Sequence, residues 1–317
     1  MQLKPLGGSG IDISAVGVGC MNFGMMCDQS ATDAVVAAAL DAGVNFFDVA
    51  DIYGGPHGKA ETLLGKALGA RRADIVLATK FGAKQAGGGG AAPGGGARAY
   101  IMQAVEDSLE RLGTDYIDLY QHHFPDGETP VEETLRALDD LVQQGKVRAI
   151  GCSNYSGAML AEAAGFAADN ASTPFVSAQN RYSLLTRDIE TDLVPVAQAH
   201  AVGILPYFPL ESGLLTGKYR KDEKAPADTR FGKWGGGGVF ASDERYAIVE
   251  GLREYGESIG HSVLDIAVGW LAAQDYVSSV IAGVTKPEQI RQNVAAASWS
   301  PTAQQCADIA AIATPAA

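Results

Sequence analysis

Residues 44–80 of the chain read VNFFDVADIYGGPHGKAETLLGKALGARRADIVLATK and combine two strand patterns with a helix pattern between them. The runs 44–48 and 75–80 are short and rich in β-branched and aromatic residues, which predicts two buried strands. Residues 59–68 carry apolar side chains at helical spacing, which predicts an amphipathic helix. A strand, a helix and a second strand in this order are typical of parallel α/β sheets.

This alternation of strand and helix patterns continues through the chain. It predicts strands at residues 15–19, 44–48, 75–80, 117–121, 147–152, 175–179, 203–207 and 278–281, and helices at 32–42, 59–68, 99–112, 131–144, 156–166, 188–201, 244–259, 262–274 and 288–297. Eight strands alternating with helices are typical of a (β/α)8 TIM barrel, which has about 250 residues before insertions. A doubly wound α/β sheet is the alternative fold.

Both ends of the chain carry additional elements. Two short apolar runs flank Gly7-Gly8-Ser9-Gly10, which predicts an N-terminal β-hairpin across the floor of the barrel. An extra helix is expected before strand 8, and residues 300–313 form one more helix pattern at the C-terminus. We therefore expect residues 1–317 to form a single α/β barrel domain.

The composition favours one large globular domain. Of 317 residues 47% are hydrophobic, and the net charge of −13 opposes binding to nucleic acid or anionic lipid, so an anionic ligand needs a local basic site. No window approaches 18 consecutive apolar residues and the N-terminus lacks a signal-peptide pattern, so we expect a cytoplasmic protein without membrane spans. The four cysteines lack C-x-x-C spacing, which fits buried thiols and no structural zinc.

Two glycine-rich stretches, residues 87–96 and 235–238, follow the third and seventh predicted strands. They have few apolar side chains to pack, which predicts flexible loops on the functional side of a barrel. A phosphate-binding role is the alternative, but neither stretch contains G-x-G-x-x-G before a helix or a Walker motif.

Four ionisable residues lie at or just after the C-terminal ends of three successive predicted strands. Asp48 and Tyr53 follow residues 44–47, Lys80 ends the next strand, and His123 follows the one after that. A parallel barrel builds its active site from such strand ends, so these side chains are expected to converge. The sequence therefore predicts one proton-transfer centre.

The chemistry of this centre depends on Lys80. An ammonium group buried after the apolar residues 77–79 needs a carboxylate partner, and Asp48 on the neighbouring strand is placed to provide it. The adjacent positive charge is expected to lower the pKa of Tyr53 and make its phenol an acid near neutral pH. His123 is expected to bond to the same substrate oxygen or to pass the proton onward.

Each of these residues also has a plain structural explanation, as an ion pair, a half-buried aromatic ring or a loop histidine, and only their coincidence favours catalysis. A metal-binding hydrolase is the competing hypothesis, with the ligand set Asp48, Asp51, His57, His122 and His123. Adjacent histidines on a strand point to opposite faces, and no H-x-H pair occurs. No metal site is therefore predicted.

Ordered motifs from Leu6 to Asn293 are similar to those of the aldo-keto reductase family, including its channel-β-subunit-like and general-stress branches. Residues 47–54, FDVADIYG, resemble F-D-T-A-x-x-Y-G, and residues 119–126, LYQHHFPD, resemble L-Y-Q-x-H-x-P-D. The strand-three lysine and the segments GCSN, QNRY, YFPL and GKY also match in order. The resemblance selects His123, rather than its neighbour, as the catalytic histidine.

The resemblance implies an enzyme that reversibly reduces aldehydes or ketones with NAD(P)H. Hydride passes from the nicotinamide C4 to the carbonyl carbon while Tyr53 protonates the oxygen. Asp48 and Lys80 tune Tyr53, and His123 orients the carbonyl. The residues expected to bind the cofactor are Cys20, Met21, Asp48, Ser153, Asn154, Gln179, Tyr207, Phe208, Pro209, Leu210, Ser212, Leu214, Lys218, Gly283, Thr285, Lys286, Gln289, Gln292 and Asn293.

The resemblance favours NADPH over NADH. Lys286 is the candidate for the 2′-phosphate, with the basic segment 218–221 nearby, and the start of the last helix is expected to bind phosphate. Two positions depart from the family pattern. Val49 replaces a threonine, and Gln289 stands where many members have an arginine.

The substrate is expected to be a small carbonyl compound. The aromatic residues that resemble a pocket wall are Phe23, Phe81, Phe124 and Trp234. The short stretch after Asn293 suggests an open pocket and broad acceptance. A cofactor-sensing regulatory subunit of an ion channel is the alternative function, which the complete catalytic set disfavours. No large apolar stripe on the helices indicates an oligomeric state.

Overall fold

The computed structural model describes residues 1–55, 58–84 and 90–314. Eight parallel strands in these residues form one sheet, and several of them end at or near the predicted catalytic residues. The strands are β3 (Val16–Gly19), β4 (Phe46–Asp48), β5 (Val76–Phe81), β6 (Ile117–His122), β7 (Val147–Ser153), β8 (Phe175–Gln179), β9 (Gly203–Ile204) and β10 (Val280–Gly283). They are hydrogen-bonded in the order β10-β3-β4-β5-β6-β7-β8-β9.

Hydrogen bonds between β9 and the residues before β10 close the sheet. The N–H of Ile204 donates to the carbonyl of Tyr276 at 2.7 Å, and the N–H of Ser278 donates to the carbonyl of Ile204 at 2.9 Å. A parallel bridge joins Ile204 to Val277. The predicted (β/α)8 TIM barrel is therefore confirmed, and the doubly wound sheet is excluded.

Helices cover the outside of the barrel, and none in the described residues is long and apolar enough to cross a membrane. Caps define several of them: the side chain of Asp28 accepts from the N–H of Ala31, and Gly113 and Gly260 end helices in the left-handed conformation. The helices are α1 (Gln29–Asp41), α2 (Lys59–Leu68), α3 (Arg98–Leu112), α4 (Val131–Gln143), α5 (Gly157–Asn170), α6 (Leu193–Ala199), α7 (Arg230–Trp234), α8 (Asp243–Ile259), α9 (Val263–Ala272), α10 (Pro287–Ala296) and α11 (Ala303–Ile312).

An N-terminal hairpin closes the floor of the barrel. Strands β1 (Leu3–Pro5) and β2 (Asp12–Ser14) pair antiparallel, as predicted. Leu6 and Ile13 are fully buried and pack in one cluster with residues from the barrel strands, including Val76. The extra helices expected before the eighth barrel strand and at the C-terminus are also present, as α8 and α11.

Prolines explain two of the errors in the predicted elements. The helix expected at residues 188–201 shortens to α6, because Pro195 is tolerated only in the first turn of a helix. The strand expected at residues 203–207 shortens to β9, since Pro206 has no N–H to donate to a neighbouring strand. The short helix α7 was not predicted.

The described part of the first glycine-rich stretch is held by hydrogen bonds, although a flexible loop was expected. The N–H of Gly96 donates to Asp126 Oδ2 at 2.9 Å, and Thr134 Oγ1 donates to the carbonyl of Gly96 at 2.8 Å. Residues 87–89 of this stretch lie outside the described residues. The second stretch, residues 235–238, follows α7.

Candidate active site

The side chains of Lys80, Asp48 and Tyr53 meet at the carboxyl ends of β4 and β5. Lys80 Nζ donates to Asp48 Oδ2 at 2.6 Å, to the carbonyl of Val49 at 3.0 Å and to Tyr53 Oη at 3.4 Å. Lys80 is fully buried and Asp48 is 3% exposed. A buried ammonium group needs this compensation, because an unpaired charge in the interior is strongly unfavourable.

The second carboxylate oxygen of Asp48 accepts two further hydrogen bonds. Gln121 Nε2 donates to Asp48 Oδ1 at 3.0 Å, and Gln179 Nε2 donates to the same atom at 2.9 Å. Gln121 was not among the predicted site residues. The sequence could have indicated Gln121, because a residue two positions before His123 on a strand faces the same side of the sheet.

The pKa of Tyr53 differs from the sequence-based expectation. Burial raises it, and the positive charge of Lys80 offsets this only in part, so the Tyr53 pKa lies above its usual value. Burial lowers the pKa of Lys80, but Asp48 and Tyr53 raise it by more, so Lys80 keeps its proton. The expected lowering of the Tyr53 pKa is therefore wrong, because it considered the neighbouring charge without the loss of solvent.

The two adjacent histidines make different contacts. The rings of His123 and Tyr53 are 5.8 Å apart and nearly perpendicular, whereas His122 stacks on Phe81 and its Nδ1 lies 2.9 Å from Tyr155 Oη. Burial, Lys80 and His122 hold the pKa of His123 well below its usual value. Burial lowers the pKa of His122 to about 4. Both imidazoles are therefore neutral at physiological pH.

The competing metal hypothesis finds no assembled ligand set in the described residues. No group of three or more His, Cys, Asp or Glu side chains there is arranged to hold a metal ion. Asp48 is engaged by Lys80, and His122 and His123 make different contacts. His57, the remaining histidine of that set, lies outside the described residues.

A cavity of about 1100 Å³ opens above these strand ends, with Asp48, Tyr53 and His123 in its wall. Most of the residues expected to bind a cofactor line it: Met21, Ser153, Asn154, Gln179, Tyr207, Phe208, Pro209, Leu210, Ser212, Lys218, Gly283, Thr285, Lys286, Gln289, Gln292 and Asn293. Cys20 and Leu214 do not, because their side chains are fully buried in the core.

Polar side chains at the ends of β7 and β8 form a continuous hydrogen-bond network. Asn154 Nδ2 donates to the carbonyl of His123 at 2.9 Å, and Tyr207 Oη donates to Asn154 Oδ1 at 2.8 Å. Ser153 Oγ donates to the carbonyl of Gln179 at 2.8 Å. The network fixes the orientation of these groups at the cavity wall.

Three basic side chains among the described residues also line the cavity, although the whole chain carries a net charge of −13. They are Lys218, Arg230 and Lys286, and the acidic residues Asp228 and Asp265 line it as well. Arg230, which sequence reasoning missed, donates to Asn22 Oδ1 at 3.2 Å. No local signal in the sequence marked it, because Arg230 begins the short helix α7, which was itself not predicted.

Sequence comparison gives the family of this chain. The model of the aldo/keto reductase family matches residues 15–314. The chain belongs to the aldo/keto reductase family.

Relatives within this family have different functions in their names. A probable voltage-gated potassium channel subunit beta of Arabidopsis thaliana is 36% identical over 306 residues, covering 93% of this chain and 91% of the relative. L-glyceraldehyde 3-phosphate reductase of Escherichia coli (strain K12) is 33% identical over 307 residues, covering 93% and 87%. The uncharacterized oxidoreductase YrpG of Bacillus subtilis (strain 168) is 34% identical over 303 residues, covering 93% and 91%.

Aldo/keto reductases generally bind NAD(P)H, and the cavity of this family member fits such a group. Its volume lies slightly above the usual range for small-molecule sites, which leaves room for an extended dinucleotide. Its lysine and arginine side chains suit phosphates. The backbones of Gly19 and Gly283 approach closely, and a Cβ on Gly19 would lie 3.3 Å from the N of Gly283.

The aromatic wall expected from the sequence is mostly absent from the cavity of this aldo/keto reductase. Phe124 lines the cavity, but Phe23 and Phe81 are fully buried in the core and do not line it. Phe81 directly follows the inward-facing Lys80, so strand alternation turns it to the other face. The side chain of Trp234 lies outside the described part. Further apolar residues that line the cavity are Met26, Ile52 and Phe208.

Proposed function

We propose that this chain is an NADPH-dependent aldo/keto reductase that reduces aldehydes and ketones to alcohols and catalyses the reverse oxidation of CH–OH groups with NADP+. The contact of the buried Lys80–Asp48 pair with Tyr53, beside His123 in a large cavity, is the observation that supports this proposal most strongly. Carbonyl reduction is consistent with the reductase and oxidoreductase names of relatives.

In the proposed reaction the bound nicotinamide cofactor supplies the hydride that reduces the carbonyl carbon. Tyr53 Oη donates its proton to the carbonyl oxygen, and its raised pKa means that the phenol holds this proton at neutral pH. Lys80 then lies 3.4 Å from the phenolate oxygen and stabilises its charge. His123 is neutral and orients the carbonyl oxygen rather than supplying the proton.

The network at the ends of β7 and β8 is proposed to hold the nicotinamide carboxamide through Ser153, Asn154 and Gln179, with the Tyr207 ring stacked on the nicotinamide. Lys286 is proposed to bind the 2′-phosphate. Substrate is proposed to enter beside Phe124, where Met26, Ile52 and Phe208 also line the cavity. These apolar neighbours favour uncharged carbonyl compounds with an apolar substituent.

Replacement of Tyr53 by Phe tests the proposal. Loss of proton donation is expected to lower kcat for aldehyde reduction by about 10²–10⁴-fold, while the Kd for NADPH changes little. Tyr255→Phe, whose ring hydroxyl bonds to Asp308 outside the cavity, is the matched control and should retain full activity. Near-full activity of the Tyr53→Phe variant would refute the proposed role of Tyr53.

A regulatory subunit that binds cofactor without significant turnover is the second candidate. The observation that favours it is the likeness to proteins named as potassium channel β subunits from a plant and from Schizosaccharomyces pombe. NADPH oxidation with methylglyoxal and 4-nitrobenzaldehyde discriminates the two functions. Tight NADPH binding with no turnover of any aldehyde in the panel would favour the regulatory function.

A further inference from the structure

Lys286, the residue proposed to bind the 2′-phosphate, has an acidic partner across the cavity. Its Nζ lies 3.5 Å from Asp228 Oδ2, and both side chains line the cavity. Asp228 belongs to the segment after β9, just before α7, whereas Lys286 directly precedes α10. The two residues therefore come from two separate segments of the cavity wall, and both are mostly exposed to solvent.

The start of α10 gives little further help to a phosphate. Gln289 Oε1 accepts hydrogen bonds from the N–H groups of Thr285 at 2.7 Å and Lys286 at 3.1 Å, and from Thr285 Oγ1 at 3.2 Å. The N–H of Lys286, the N-cap of α10, is therefore occupied, and Pro287 at the first helical position has no N–H to offer an anion. The ammonium group of Lys286 therefore remains as a donor for an anion at this position, and it is paired with Asp228.

We propose that Asp228 is a specificity-determining residue that weakens the preference of the site for NADPH and favours the use of NADH as well. The proposal rests on the proposed function, in which Lys286 binds the 2′-phosphate. A phosphate oxygen about 2.8 Å from Lys286 Nζ lies within about 6.3 Å of Asp228 Oδ2 if the ion pair persists. The carboxylate repels the phosphate at that distance, whereas it can accept a hydrogen bond from the ribose 2′-hydroxyl of NADH.

The test is the ratio of the Kd for NADH to the Kd for NADPH, measured by titrating protein fluorescence at low salt. Asp228→Asn is expected to raise this ratio roughly threefold to tenfold, and 0.5 M salt should reduce the gain because exposed charges are screened. Lys286→Gln is expected to lower the ratio. Asp74→Asn is the matched control, since it neutralises the acidic partner of an exposed Arg–Asp pair outside the cavity and should leave the ratio unchanged.

The outcomes separate this proposal from the proposed function. If Lys286→Gln lowers the ratio but Asp228→Asn leaves it within twofold of wild type or lowers it, the role of Asp228 is refuted and the phosphate site stands. If Lys286→Gln has no effect, the position of the phosphate is wrong and both assignments fail. If neither nucleotide binds the wild-type chain, the proposed reductase function itself is overturned.

Discussion

Replacement of Lys80 by Met tests the buried ion pair at the centre of the site. Met has nearly the same length but cannot donate the bonds to Asp48 Oδ2, the Val49 carbonyl and Tyr53 Oη. The Asp48 carboxylate then remains in an almost fully buried position, where the amides of Gln121 and Gln179 are its remaining side-chain donors among the described residues. The variant therefore measures how much Lys80 stabilises the buried charge of Asp48.

The expected loss of stability is large. Removal of one partner of a buried ion pair costs about 3–5 kcal/mol, because the other charge remains without its counter-ion. Asp48 keeps two hydrogen bonds, so we expect a value near the lower end, about 3 kcal/mol, in the free energy of unfolding. Activity should also fall, since Tyr53 loses the positive charge that stabilises its phenolate.

Urea unfolding at pH 7 and NADPH-linked aldehyde reduction measure the two effects. The double variant Lys80→Met with Asp48→Asn removes the buried charge and should recover at least half of the lost stability without recovering activity. Unfolding free energy of Lys80→Met within 1 kcal/mol of wild type, or no recovery in the double variant, would show that the pair contributes little and would refute this reasoning.

Three further predictions follow from pKa values and close contacts. Because burial raises the pKa of Tyr53, the rate of carbonyl reduction should fall only above about pH 10, whereas alcohol oxidation, which needs the phenolate, should rise with pH; a fall in reduction near pH 7 would contradict this. Gly65→Ala should lower the unfolding free energy by about 1–3 kcal/mol, because a Cβ there would lie 2.3 Å from the carbonyl oxygen of Leu112; Gly165→Ala, in an open helical position, should be neutral or stabilising. Burial raises the pKa of Asp126, but backbone N–H donors lower it by more, to about 2, below the unfolded value near 3.9, so its contribution to stability is present above about pH 4 and is lost as the pH falls toward 2; the difference in thermal unfolding between wild type and Asp126→Asn should shrink over that interval.

The barrel was predictable because its elements are local patterns repeated many times. The helix predicted at residues 59–68 and the strand predicted at residues 175–179 match α2 and β8 residue for residue. Helix α7 was not predictable in this way. Its five residues are held by contacts outside the helix, including the stacking of Phe231 on Tyr219 at 4.1 Å between ring centres.

The sequence predicted which residues lie at the candidate site better than it predicted their pKa values. Strand ends and alternation placed the charged groups on one side, and the same alternation would have excluded Phe81 from the pocket wall. The sequence could indicate that Lys80 lies near Tyr53, but the pKa of Tyr53 depends on how much solvent the folded chain removes. The loss of solvent around Tyr53 is caused by residues distant in sequence, so the direction of its pKa shift could be established only from the structure.

Backbone strain beside the cavity shows how the chain fixes the shape of residues 208–212, several of which line the cavity. Phe208, Glu211 and Ser212 adopt left-handed conformations with φ values of 53°, 44° and 56°, which cost about 1–3 kcal/mol each in residues other than glycine. Glu211 is fully buried, and its carboxylate accepts charge-assisted hydrogen bonds from Arg181 and Arg245 at 2.5 and 2.8 Å. These ion pairs hold the strained turn to the residue two positions after β8 and to α8, so the shape of this part of the cavity wall is fixed before a ligand binds.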